Sequence, residues 1–233
     1  MKNILVIFLM LSSMLNAQGN KLKFSHKVLY DFYFVSDSLQ NEKKNYEKMV
    51  LYFSDEYSIF QSNNKIKVDS LLSRIKNEDL KKRPFLKVNN VIYKNNLTKK
   101  VYFIENINTE SLAYIDNYHD MRWEMVNETK MLLNVPCKKA ITNYKGRKYI
   151  AWYSEKIPFS FGPYKFGGLP GLILELFDTK NNFKYTATEI TATDINLVSN
   201  IDYKVINKDE FIKYKLDFLR SVYKPLIYNP IEL

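Results

Sequence analysis

Short apolar runs, each bounded by polar turn residues, recur along most of the chain: Val28 to Val35, Met49 to Phe53, Tyr57 to Phe60, Val88 to Tyr93, Val101 to Ile104, Tyr149 to Tyr153, Leu172 to Phe177 and Phe183 to Thr188. They are rich in aromatic and β-branched residues, and at this spacing they predict antiparallel β-structure. Trp123 to Val126 and Ala140 to Tyr144 alternate, with part of one face apolar and the other polar. Leu172 to Phe177 is almost wholly apolar, which predicts a central strand covered on both faces, with Glu175 requiring a partner or water. The polar stretch Thr179 to Asn182 after it predicts a hairpin joining Leu172–Asp178 to Phe183–Glu189.

Helical spacing occurs in two places. Val68, Leu71, Leu72 and Ile75 fall on one stripe, with Asp69 placed to cap and Pro84 to close the segment. Farther on, Asn207 caps and Glu210 stands three residues later. Ile212, Leu216, Leu219 and Tyr223 then form a stripe beside Phe211, Phe218 and Val222 before Pro225. The expected fold is therefore mainly β with a minor α component: a curved antiparallel sheet or partial barrel carrying about two packed helices. No repeat, Pro-rich linker or low-complexity tract divides residues 18–233, which read as a single domain.

The N-terminus departs from this texture. Lys2 precedes the apolar run Ile4 to Leu11, then Ser12, Ser13 and a cleavage point after Ala17, the pattern of a secretory signal peptide too short to span a bilayer. Cleavage there lowers the formal net charge from +10 to +9, because Lys2 is the only charged residue removed. The expected location is the periplasm, or the outer membrane and cell exterior. Export argues against nucleic acid as the partner of so basic a chain. The lysines either face anionic lipid, polysaccharide or acidic protein, or only solubilise the surface. Acids dominate residues 110–128 and cations dominate residues 129–154; paired across a sheet, the two segments neutralise one another without a ligand.

Candidate chemistry is sparse. His26 and His119 have no metal-ligand spacing, and no cofactor motif, catalytic triad or metal site is assigned. Cys137 cannot form an internal disulfide and reads as a buried, inert thiol. Asp116, Asp120, Glu124 and Glu128 recur every four residues, which on one strand puts them on one face, either a solvated acidic face or a cation site. Residues 146–171 stand apart, holding five of the six glycines and three of the seven prolines. Leu169-Pro170-Gly171-Leu172 fits a type II turn with Gly171 at positive φ. The segment reads either as a rigid corner plugged by Phe159, Phe161, Tyr164 and Phe166, or as a binding loop. In the second reading Tyr164, Lys165, Phe166, Gly167, Gly168, Leu169, Pro170 and Gly171 meet a ligand or partner together with Trp152, and the Gly167 and Gly168 N–H groups face an oxyanion.

The run Phe166-Gly167-Gly168-Leu169-Pro170-Gly171-Leu172-Ile173 resembles the signature of the GLPGLI family, exported proteins of Gram-negative bacteria. The similarity extends through Trp123, Glu128-Thr129-Lys130, Cys137-Lys138-Lys139-Ala140, Gly146-Arg147, Ala151-Trp152-Tyr153, Ile157-Pro158 and Phe161-Gly162-Pro163-Tyr164-Lys165. The resemblance implies an envelope protein with no established activity. Two readings follow: a non-enzymatic binding or assembly module for an apolar ligand, peptide or outer-membrane partner, with peripheral membrane contact and no membrane span in the mature chain; or a hydrolase-like enzyme using the Gly/Pro loop as an oxyanion site.

Overall fold

The structure, a computed structural model, describes residues 21–35, 44–72, 86–117, 121–198 and 203–222. The signal-peptide segment, His119, Asp120, Ile75, Pro84, Tyr223 and Pro225 lie outside the described residues. The elements are β1 (Lys21–Val35), β2 (Lys44–Phe53), β3 (Tyr57–Ser62), α1 (Asn63–Leu72), β4 (Asn90–Asn95), β5 (Lys100–Ile107), β6 (Glu110–Asn117), β7 (Glu124–Leu132), β8 (Val135–Tyr144), β9 (Arg147–Ser154), β10 (Leu172–Asp178), β11 (Phe183–Val198), β12 (Lys204–Val205) and α2 (Lys208–Val222). The molecule is mostly β, as its apolar texture predicts.

All the described strands belong to one sheet, in the order β12-β6-β5-β4-β3-β2-β1-β11-β10-β9-β8-β7. Its pairs are antiparallel except β12 with β6, which is parallel. The predicted hairpin of β10 with β11 is present, pairing Glu175 with Thr186 and Phe177 with Lys184. Strands β6 and β9 stand eight places apart in the order, about 38 Å along a flat sheet. Yet the ring of Phe166 lies 4.7 Å from that of Tyr149 in β9, while its neighbour Lys165 reaches Tyr114 in β6 at 2.8 Å. Adjacent residues touch both limbs only because the sheet curls. It stays open, since its end strands β12 and β7 do not pair with each other.

The main core fills the concave side, where Phe32, Phe53, Phe60, Phe103, Tyr149 and Leu176 are buried together. A smaller cluster of Phe24, Ile59, Val91, Ile104 and Ala113 covers part of the outer face beneath half-buried tyrosines. Strand β10 is covered on both faces, as its continuous apolar run predicts. Glu175, buried within it, finds two partners on the outer face, Lys130 from β7 and Lys184 from β11 at 3.2 Å.

Several expectations need correction. Helix α1 starts at Asn63, and Ser62 caps it by accepting from the N–H groups of Asn64 (3.1 Å) and Lys65 (3.2 Å). Asp69 lies inside that helix and pairs with Lys65 at 2.7 Å. In α2, Asn207 does cap, accepting from Asp209 N–H at 2.8 Å. The face that α2 turns to the sheet, however, centres on Phe211, whose ring lies 4.9 Å from Tyr114 and 5.6 Å from Phe103. Asp116 belongs to β6 whereas Glu124 and Glu128 belong to β7, so the four-residue acidic spacing does not define one face. A register shift between Val126 and Thr129 breaks the spacing again within β7.

Candidate functional site

The Gly/Pro-rich segment joins β9 to β10, whose ends already meet where Ser154 pairs with Leu172. Its residues are thus free to leave the sheet and enter the concave side. There Phe166 N–H donates to Pro163 C=O (3.1 Å), Gly168 N–H to Ser160 C=O (2.9 Å) and Ile173 N–H to Phe161 C=O (3.0 Å). The positive φ falls at Gly168 (82°) and Tyr164 (52°), not at Gly171, so the predicted type II turn does not form. Gly171 is required for a different reason: a Cβ there would stand 2.2 Å from the carbonyl oxygen of Ser154.

Four strands or flanks hold this loop in place. From β4, the fully buried Lys94 donates to the carbonyls of Gly162 (3.0 Å) and Phe166 (2.5 Å). Trp123 Nε1 donates to Gly167 C=O at 2.9 Å, and Tyr30 Oη in β1 donates to Ile173 C=O at 2.6 Å. From β6, Tyr114 and Asp116 meet Lys165 Nζ at 2.8 and 2.6 Å. Buried backbone polar groups must be paired, and this loop achieves it by borrowing side chains from distant strands.

Among the residues predicted to bind, Tyr164, Lys165, Phe166, Gly167, Leu169 and Gly171 are buried, whereas Gly168 and Pro170 reach the surface. Trp152 is not with them. Tyr149 faces the loop and Trp152 is an odd number of positions away in β9, so its side chain occupies the outer face. There the ammonium of Lys130 lies 4.4 Å from its ring centroid. Of the two oxyanion donors, Gly168 N–H is already given to Ser160. Cys137 is fully buried in β8, and burial raises its thiol pKa. His26 stacks on Phe53 with ring centroids 5.1 Å apart and meets the tilted ring of Phe159 at 4.8 Å. No group of three or more metal-ligating side chains occurs among the described residues.

The polar opening lies at the end of the curl, where β6 approaches β8. Here Asp116 is shared by Lys165 at 2.6 Å and Lys208 at 3.2 Å. Burial alone would raise the Asp116 pKa, but the two ammonium groups outweigh it and hold it below the ordinary 3.8. Asp116, Asn117, Asn143, Tyr144 and Lys145 contribute to a cavity of about 230 Å³. Asn143 and Lys145 also border a second cavity, of about 740 Å³, with Arg147, Lys148, Asp178 and Lys180. The turn between them has positive φ at Lys145 (49°) and Gly146 (72°), which matches a type I′ hairpin. Sequence reasoning registered the basic run around Lys145 but not this cleft, because Asp116 and Lys165 are brought to it from other parts of the chain. Lys94 also gave no signal, since a lysine in an alternating strand normally points to water.

Residues 142–175 match a family described as a protein of unknown function (Porph_ging). The matched span contains both the β8–β9 turn and the Gly/Pro loop. No curated protein matches the chain. Two crystal structures of PNGF-II, in space groups C2 and P21, are similar in fold, each with TM-score 0.63 and 15% sequence identity over 84% of this chain. This chain spans only 33% and 34% of theirs. At that identity the likeness concerns the fold alone. Among the described residues, no helix is long and apolar enough to cross a membrane.

Proposed function

We propose that this protein is an exported envelope protein of the GLPGLI type that acts as a binding or assembly module without covalent chemistry. The observation carrying this reading is the division between a concave side filled by the protein's own loop and a polar cleft open at its end. A filled interior favours a partner met at the surface over an apolar ligand enclosed by the sheet. The side chains suited to nucleophilic work are dispersed, with Cys137 on the outer face and His26 between two phenyl rings.

The test is the mass of the protein released gently from its native envelope, measured under native and denaturing conditions. A bound partner or ligand adds mass that disappears on denaturation, and export sets the denatured mass to begin at Gln18. A bare native monomer that turns over an ester substrate, and loses that turnover in a folded Cys137→Ala or His26→Ala variant, would overturn the binding reading.

A further inference from the structure

The two cavities adjoin at Asn143 and Lys145, which line both, and together make a basic cleft. The cations lining them are Lys145, Arg147, Lys148, Lys165 and Lys180, facing Asp116 and Asp178, a formal excess of +3, and Lys208 pairs with Asp116. Both acids are committed inward. Asp116 is held by Lys165 and Lys208. Asp178, with a side chain 1% exposed, accepts Phe183 N–H at 2.8 Å and lies 3.7 Å from Arg147. Arg147 is also fixed over the Phe183 ring, 5.1 Å from its centroid, so its guanidinium is anchored before any ligand arrives. Lys145, Lys148 and Lys180 are exposed and form no ion pair among the described residues.

We infer that this cleft binds a ligand carrying a phosphate group beside uncharged hydroxyl or amide groups, a conclusion that rests on the binding reading above. Size separates the two halves. The smaller cavity, about 230 Å³, equals the liquid volume of roughly eight waters at about 30 Å³ each. It accommodates a small polar group that Asn117, Asn143 and Tyr144 can hydrogen-bond. The larger, about 740 Å³, falls within the roughly 300–1,000 Å³ of ligand sites, and its cations surround the space a phosphate would fill. A phosphate offers several acceptor oxygens to a planar guanidinium and to separate ammonium groups at once.

A soluble phosphate ester and a phospholipid headgroup share this chemistry, and two probes separate them. The purified full chain is titrated with glycerol 3-phosphate, using glycerol as control, and with phosphatidylglycerol vesicles, using phosphatidylcholine vesicles as control. Each titration is repeated at low and physiological salt. The double variant Lys145→Glu/Lys180→Glu is compared with Lys67→Glu/Lys156→Glu, which changes net charge equally at exposed sites that line neither cavity. Binding weakened at least tenfold by the cleft variant, and at most two- to threefold by the distant one, supports the site. Response to the soluble ester identifies a free ligand, and response to vesicles alone identifies a lipid. Equal losses in both variants, or binding of neither probe by the wild type, would overturn the inference. The binding reading falls separately, on the native mass measurement, since a co-purifying partner leaves it standing whatever the phosphate titrations show.

Discussion

Gly171 and Gly168 stand three residues apart and resist a side chain for different reasons. At Gly171 a Cβ would meet the Ser154 carbonyl oxygen at 2.2 Å and its carbon at 2.5 Å, and backbone cannot swing aside as a side chain does. Gly171→Ala should therefore separate β9 from β10 and destabilise by about 3 kcal/mol. Gly168 has open space around its Cβ position but a φ of 82°, so Gly168→Ala should cost only about 1–2 kcal/mol. Urea denaturation of both variants checks the order, and a larger loss at Gly168 would refute this division of roles. Lys94 makes a second prediction at this scale. Burial pulls its pKa well below 10.5, so between the folded value and 10.5 the unfolded chain binds more protons than the native one. Stability must then rise with pH through that window, and the penalty is complete below the folded value. Relative to Lys94→Met, the wild type should gain stability as pH is raised from about 7 towards 10. Parallel denaturation curves show this as a shrinking difference that also cancels the tyrosine titrations common to both proteins. A constant difference would mean that Lys94 is charged in the native state.

Among the elements, α2 shows what periodicity resolves and what it leaves open. Its cap at Asn207 and its extent are legible because capping and 3.6-residue spacing are local. The orientation is not, since Phe211 and Phe218 compete with Ile212, Leu216 and Leu219 on neighbouring stripes, and only the aromatic pocket of Phe103 and Tyr114 decides. Phe211→Ala should cost about 3 kcal/mol, and half-exposed Leu216→Ala about 1 kcal/mol or less. Thermal or urea unfolding that reversed this order would put the wrong face against the sheet. The same contrast runs through the strands. Leu172 to Phe177 announces a central strand because burial on both faces demands an unbroken apolar run. Strand β6 is hidden by its acids, because the charge of Asp116 is cancelled by Lys165, 49 residues away in sequence. The cleft is illegible for that reason: β6, the β8–β9 turn and the Gly/Pro loop become neighbours only through the curl of the sheet.

At the scale of the whole molecule, the Gly/Pro loop acts as part of the core and not as a connection. Ser154 and Leu172 are already paired, so a two-residue Asn-Gly turn would suffice to link β9 and β10. Residues 155–171 instead carry Phe161, Tyr164, Phe166 and Leu169 into the concave space, where all four are buried. Their removal leaves the sheet hydrogen bonds intact but withdraws packing partners from both limbs, from Phe103 and Tyr114 on one side to Tyr144 and Tyr149 on the other. Replacing residues 155–171 by Asn-Gly should therefore retain far-UV circular dichroism, abolish most near-UV signal and bind the dye ANS, the signature of secondary structure without fixed packing. Persistence of the near-UV signal and of a sharp unfolding transition would mean that the strands fix their own curvature. Loss of signal in both regions would mean that the strands need the loop in order to pair. The predicted intermediate result separates the two sources of order, with hydrogen bonds fixing which strands are neighbours and the buried loop fixing how tightly they curl.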